Sequence, residues 1–140
     1  MRMAVTANNI FVNLPVKDLK KTIEFFTALG FEFNPQFTDD NATCMIIGEN
    51  MYAMLLVEDF FKTFTKKDIS DATKTTEVLI ALGIESREKV DELVNKAVEA
   101  GGKVYDDPKD HGFMYQWSFE DLDGHQWELS YMDESAFQQE

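Results

Sequence analysis

Glu128 is the residue whose neighbours best equip it for chemistry. It lies in Gln126-Trp-Glu-Leu-Ser-Tyr131, an alternating run that predicts a strand with Gln126, Glu128 and Ser130 on one face. In apolar surroundings desolvation raises a carboxyl pKa, which makes such a group a general acid or base. Beside a cationic ligand the same carboxylate is a counter-ion and needs no chemistry. His111 lies in Asp110-His-Gly-Phe-Met-Tyr115, a loop with a hinge-capable glycine and two aromatics that can cover a ligand. His125 follows Asp-Gly and is expected at an exposed turn tip. Cys44, the only cysteine, has no Arg, Lys or His close in sequence to stabilise a thiolate, so it reads as a buried, inert thiol. The sequence holds no Gly-rich phosphate cradle, Ser-His-Asp arrangement or Cys-x-x-Cys pair.

The elements that must position these groups come from a chain that repeats itself at an offset of 68 residues. Phe11-Val-Asn-Leu-Pro-Val-Lys-Asp18 and Leu79-Ile-Ala-Leu-Gly-Ile-Glu-Ser86 each read as a strand running into a helix-capping residue. Helical spacing follows both: Leu19, Ile23, Phe26 and Leu29 up to Gly30, then Val90, Leu93, Val94 and Ala97 up to Gly101-Gly102. Strands are expected next at Phe31–Phe33 and Lys103–Tyr105, and then at 42–47, 52–57, 114–120 and 126–131. The turns are Gly48-Glu-Asn50 and Asp121-Leu-Asp-Gly124. A single domain over 1–140 results, built from two βαβββ units at about 8–57 and 76–133. They are joined by a connector, 58–75, in which Phe60, Phe61 and Phe64 mark a short helix. Units this small do not close a sturdy core alone, so the fold class is α+β, with paired βαβββ modules forming one curved mixed sheet around a cleft.

Composition bounds the partners. Apolar residues make up 44% and charged residues 28% of the 140, which is globular composition. Lys plus Arg total 13 against 26 Asp plus Glu, a net charge of −13 that repels phosphate backbones and anionic lipid. Nucleic acid and membrane partners are not expected on that ground, and cationic small molecules are favoured. The run Met51–Val57 falls far short of the roughly 20 residues a membrane span needs, and no basic region with an apolar stretch opens the chain. With one cysteine, a reducing cytoplasm is the expected location, and the exposed edges of two half-units make a homodimer the expected assembly.

Three stretches carry a resemblance: Val12-Asn-Leu-Pro-Val-Lys-Asp-Leu19, Phe25-Phe-Thr-Ala-Leu-Gly-Phe31 and Phe119-Glu-Asp-Leu-Asp-Gly-His-Gln-Trp-Glu-Leu129. They resemble the glyoxalase, bleomycin-resistance and extradiol-dioxygenase superfamily, the vicinal oxygen chelate proteins. The resemblance implies a glyoxalase-like cleft and, in metal-dependent members, four ligands on its concave face. Carried over position by position, it puts Phe11, Met54, Leu79 and Glu128 at those four places. Three are apolar, and a lone carboxylate binds a divalent ion weakly. The resemblance therefore implies a protein without a resident cofactor, binding a small organic ligand with Glu128 as anchor. Phe11, Met54 and Leu79 then form the floor of the cleft, and Asn13, Tyr52, Tyr115 and Trp117 line it. Gln126 shares the face of Glu128, and His111 reaches in from its loop. The alternative is a metal-dependent lyase or isomerase of the lactoylglutathione lyase kind, with Glu128 as base. If the strand registers shift by two, Asn13, Glu77, Glu128 and His111 would hold a magnesium or manganese ion.

Overall fold

Asp18 and Ser86 dictate where the two long helices begin. In the computed structural model, which describes residues 3–137, Asp18 accepts the backbone N–H of Lys21 and opens α1 (Leu19–Leu29). Ser86 accepts that of Lys89 and opens α3 (Arg87–Glu99). Each cap satisfies an otherwise orphaned donor, which is worth about 1 kcal/mol. Helix α1 stops where Gly30 adopts φ 107°, a left-handed conformation that costs a residue without Cβ little.

The chain divides into two compact units at Ile69 and Ser70. The first contains β1 (Ile10–Val16), α1, β2 (Glu32–Asn34), β3 (Ala42–Gly48), β4 (Met51–Val57) and the short helix α2 (Glu58–Phe61), which runs on into a tight turn over Lys62–Phe64. Its sheet has the order β1-β4-β3-β2, with β1 parallel to β4 and the other pairs antiparallel. The second contains β5 (Leu79–Gly83), α3, β6 (Lys109–Asp110), β7 (Met114–Glu120) and β8 (Gln126–Met132). It repeats the pattern as β5-β8-β7-β6, with β5 parallel to β8. The architecture is therefore α+β, a βαβββ module written twice.

Alternation decides which sheet face each helix covers. In the first module Leu14, Val16, Met45, Ala53 and Leu55 share one face and are buried with Phe25, Phe26 and Leu29 of α1. In the second, Phe119, Trp127 and Leu129 are buried with Val90, Leu93, Val94 and Ala97 of α3. Each such side chain contributes about 1.5–3 kcal/mol on leaving water.

One expected strand is corrected. Lys103–Tyr105 forms no strand: Lys103 makes a single bridge to Glu120, and regular pairing resumes only at β6, where Lys109 faces Gln116. Residues 104–108 thus bulge out opposite 117–119. Pro108 has no N–H to give a ladder, and Asp106 and Asp107 place like charges side by side, so the sequence cannot continue the pairing there.

Candidate functional site

In the second module the face away from α3 is polar, and register assigns its members. Glu128 lies between Ala81 of β5 and Ser118 of β7, Gln126 between Leu79 and Glu120, and Ser130 between Gly83 and Gln116. Glu128 is partly buried, and the side-chain amide of Gln116 donates to its Oε1 at 3.0 Å. Gln126 accepts from the hydroxyl of Thr76 at 2.6 Å. Tyr105 lies on the bulge, within electrostatic reach of this face. Burial pushes its phenol up, a hydrogen bond from Ser118 draws it back, and the charges of Glu128, Glu120 and Asp106 push it up again.

Asp121 builds the hairpin that carries Glu128. Its buried carboxylate accepts the backbone N–H groups of Asp123 and His125 and the indole N–H of Trp127, each at 3.0 Å. Burial raises the pKa of Asp121, and the nearby His125 and these donors oppose that rise. Gly124 sits at φ 89°, and a Cβ there would stand 2.8 Å from the backbone of Ala72 and Thr73. The Asp-x-Asp-Gly stretch is thus a structural clasp, and Trp127, which it grips, shares its strand with Glu128.

Tyr115 and Trp117 are set apart from Glu128. Register puts them on the face that α3 covers, where the Tyr115 hydroxyl donates to Asp91 of α3 at 2.6 Å and the indole of Trp117 donates to the carbonyl of Asp106 at 3.0 Å. Arg87 completes this cluster. It pairs with Asp110 at 2.9 Å, donates to the Gly112 carbonyl at 2.7 Å and lies over the rings of Tyr115 and Tyr131 at 5.6 and 5.8 Å. The backbone N–H of Gly112 and the Arg87 guanidinium hold the Asp110 carboxyl below its ordinary value. The loop bearing His111 is therefore pinned. His111 is exposed, with its ring 6.5 Å from Phe113, and no hydrogen bond joins it to Glu128 among the described residues.

In the first module the corresponding face is apolar. Phe11 pairs with Tyr52 and Tyr52 with Ile46, while the next row reads Asn13, Met54, Cys44 and Asn34. The Phe11 and Tyr52 rings stack at 5.0 Å and 16°, with Phe11 49% exposed. Asn13 donates to the Phe11 carbonyl at 3.3 Å. Cys44 is buried, and burial pushes its thiol up. Leu79 is exposed on the edge strand β5. Glu77 precedes β5 and lies four residues before Ala81, the partner of Glu128, which is about 13 Å along a strand. Among the described residues no three His, Cys, Asp or Glu side chains are grouped to hold a metal ion.

Sequence reasoning passed over Tyr105, Gln116 and Ser118. With Phe119 in the core, alternation places Gln116 and Ser118 opposite the aromatics of their own strand, and that signal could have found them. Nothing in the sequence announces the bulge that carries Tyr105.

Comparison with known proteins agrees with the fold. The family model described as Glyoxalase/Bleomycin resistance protein/Dioxygenase superfamily matches residues 9–129. No curated protein matches the chain. The hypothetical protein SA1046 from S. aureus is 35% identical with a TM-score of 0.76, over 91% of this chain and 95% of that one. A glyoxalase/bleomycin resistance protein/dioxygenase family enzyme from Burkholderia phytofirmans PsJN is 16% identical with a TM-score of 0.74, over 87% and 96%. The genomically encoded fosfomycin resistance protein FosX from Listeria monocytogenes is 22% identical with a TM-score of 0.65, over 91% and 92%. The last two are likenesses of fold. With its module repeated and its hairpin clasp in place, this chain belongs to the glyoxalase/bleomycin resistance protein/dioxygenase superfamily.

Proposed function

We propose that the protein binds a small organic molecule on the polar face of its second module, with Glu128 as anchor, and that no divalent metal is part of this site. The observation that carries this reading is the company Glu128 keeps. Its neighbours across the sheet are Ala81 and Ser118, its hydrogen-bond donor is Gln116, and among the described residues no group of three His, Cys, Asp or Glu side chains includes it. The other three positions the resemblance marks are Phe11, Met54 and Leu79, which have no lone pair suited to a hard cation. A surface with a few placed polar groups fits a small-molecule site, and Glu128, Gln116 and Ser118 supply such groups on this face. The buried single cysteine and the net charge of −13 support a reducing cytoplasm and no nucleic-acid partner. β1 and β5 each end a sheet, which supports a homodimer, and sedimentation would measure it.

Elemental analysis of protein dialysed against chelator tests the first claim. Substoichiometric Ni, Zn, Fe and Mn is the expected result, and one tightly held ion per chain would overturn it. A second reading draws on the same hydrogen bond: Gln116 donates to Oε1 and leaves Oε2 of Glu128 to take a proton from a carbon next to a carbonyl, as a lyase or isomerase requires. Hemithioacetal turnover that disappears in Glu128→Gln would favour it; turnover absent from both proteins excludes it.

A further inference from the structure

The segment that leaves the first module carries charged and aromatic surface that the ligand face does not use. Glu58 and Asp59 open α2, Lys62 caps its end, and Lys66 and Lys67 follow the tight turn. All but the half-buried Glu58 are exposed, and none of these five residues makes an ion pair among the described residues. Between the charges Phe61 is half-buried, while Phe64 is 69% exposed, more than any other aromatic among the described residues. The helix dipole accounts for acids in the first turn and a lysine at the C-cap. It does not account for Lys66 and Lys67, which lie past the helical turns.

Local bonds hold the segment in this form. The Thr63 hydroxyl donates to the Phe60 carbonyl at 2.7 Å, the Lys67 N–H donates to the Thr65 hydroxyl at 3.1 Å, and the Phe60 ring meets that of Phe64 edge-on at 5.1 Å. A surface ordered in advance loses little entropy on association.

The order of the residues is self-complementary: acids come first, phenylalanines stand in the middle and lysines come last. A twofold axis between Lys62 and Thr63 sets Glu58 of one protomer opposite Lys67 of its partner, Asp59 opposite Lys66, and Phe61 opposite Phe64. An isologous contact requires this property, because each residue must suit its counterpart in both directions. A partner of uniform charge would instead meet attraction at one end of the segment and repulsion at the other.

We infer that two copies of this chain associate through residues 58–67, running antiparallel, with Phe61 and Phe64 at the centre and the acid and lysine ends paired around them. This rests on the homodimer reading above and assigns its contact surface. The segment supplies fewer than the roughly 20–30 residues a side of a standard interface, so the association is weak and reversible.

Sedimentation of the full chain at rising concentration tests the inference, with circular dichroism to verify the fold of each variant. Lys66→Glu with Lys67→Glu is expected to weaken self-association roughly tenfold, since the symmetry makes each reversal count twice. Glu58→Lys with Asp59→Lys should do the same. A mixture of these two double variants should associate again, and Phe64→Ser, which leaves the charge alone, should weaken the parent. Lys20→Glu with Lys21→Glu, at exposed positions of α1, changes the net charge as much as the first pair and should weaken association far less. Equal weakening by that control, no effect of either double variant or of Phe64→Ser, or a mixture that fails to associate overturns the α2 contact and leaves the dimer to other surfaces. A parent chain that stays monomeric throughout overturns both.

Discussion

Tyr115 shows how one side chain can be read for its type and still be placed by its partners. Desolvation first, then the bond to Asp91, pushes its phenol from 10.0 up to about 12, and Arg87 opposes the rise. The fold therefore favours the neutral phenol. That contribution is whole below pH 10, fades as pH rises toward about 12, and is gone above it. Tyr105 acts in the same sense, since its phenol is also raised. Chemical denaturation across this window should show stability falling with pH. Tyr115→Phe is expected to flatten the fall and to cost about 1 kcal/mol at neutral pH, the usual worth of a lost hydrogen bond. A fall as steep in the variant as in the parent would assign the effect elsewhere. Asp121 carries the opposite lesson: a carboxylate with a candidate's chemistry is spent on three N–H groups of its own hairpin.

Among the elements, the β7–β8 hairpin decides most, because it bears Ser118 and Glu128 and its Gly124 lies close against the backbone of Ala72 and Thr73. Gly124→Ala meets both a left-handed backbone and backbone atoms at 2.8 Å, which cannot yield as a flexible side-chain tip would. A loss of about 2 kcal/mol or more is expected, judged from the usual cost of strain and overpacking. Gly30→Ala, at φ 107° with nothing within 4 Å of its Cβ, should cost less, about 1 kcal/mol. Urea midpoints of the two variants would compare them, and equal losses would show that the contact with Ala72 is immaterial. How far the elements could be read from the sequence also divides here. Asp18, Ser86 and Gly30 mark helix ends by chemistry that acts within a few residues, and the structure puts the ends there. The strand expected at 103–105 fails because strand formation depends on what a distant partner can pair with, and β7 takes up Lys103 alone.

For the whole molecule the dominant quantity is the net charge of −13. Self-repulsion destabilises a compact state, and salt screens it: the Debye length shortens from about 30 Å at 0.01 M to about 8 Å at 0.15 M. The thermal midpoint at neutral pH should therefore rise over that range, while a cationic ligand binds more weakly. A midpoint that falls would show that surface ion pairs such as Arg87 with Asp110 outweigh the repulsion. No helix among the described residues is long and apolar enough to cross a membrane.

By itself the sequence determined the doubled βαβββ order, the helix caps, the hairpin turns and the acidity. Each of these follows from neighbours in the chain or from simple addition. It also singled out Glu128, because alternation with Trp127 and Leu129 is local. Only tertiary structure decided which side chains share its face. Gln116 and Ser118 join it while Tyr115 and Trp117 turn to α3, through pairing between β7 and β8 that no single strand encodes. Tyr105 lies on a bulge, and Glu77 stays outside the strand. Register is a relation between segments far apart in sequence, and a shift of one residue exchanges the two faces of a strand, so composition and periodicity cannot supply it.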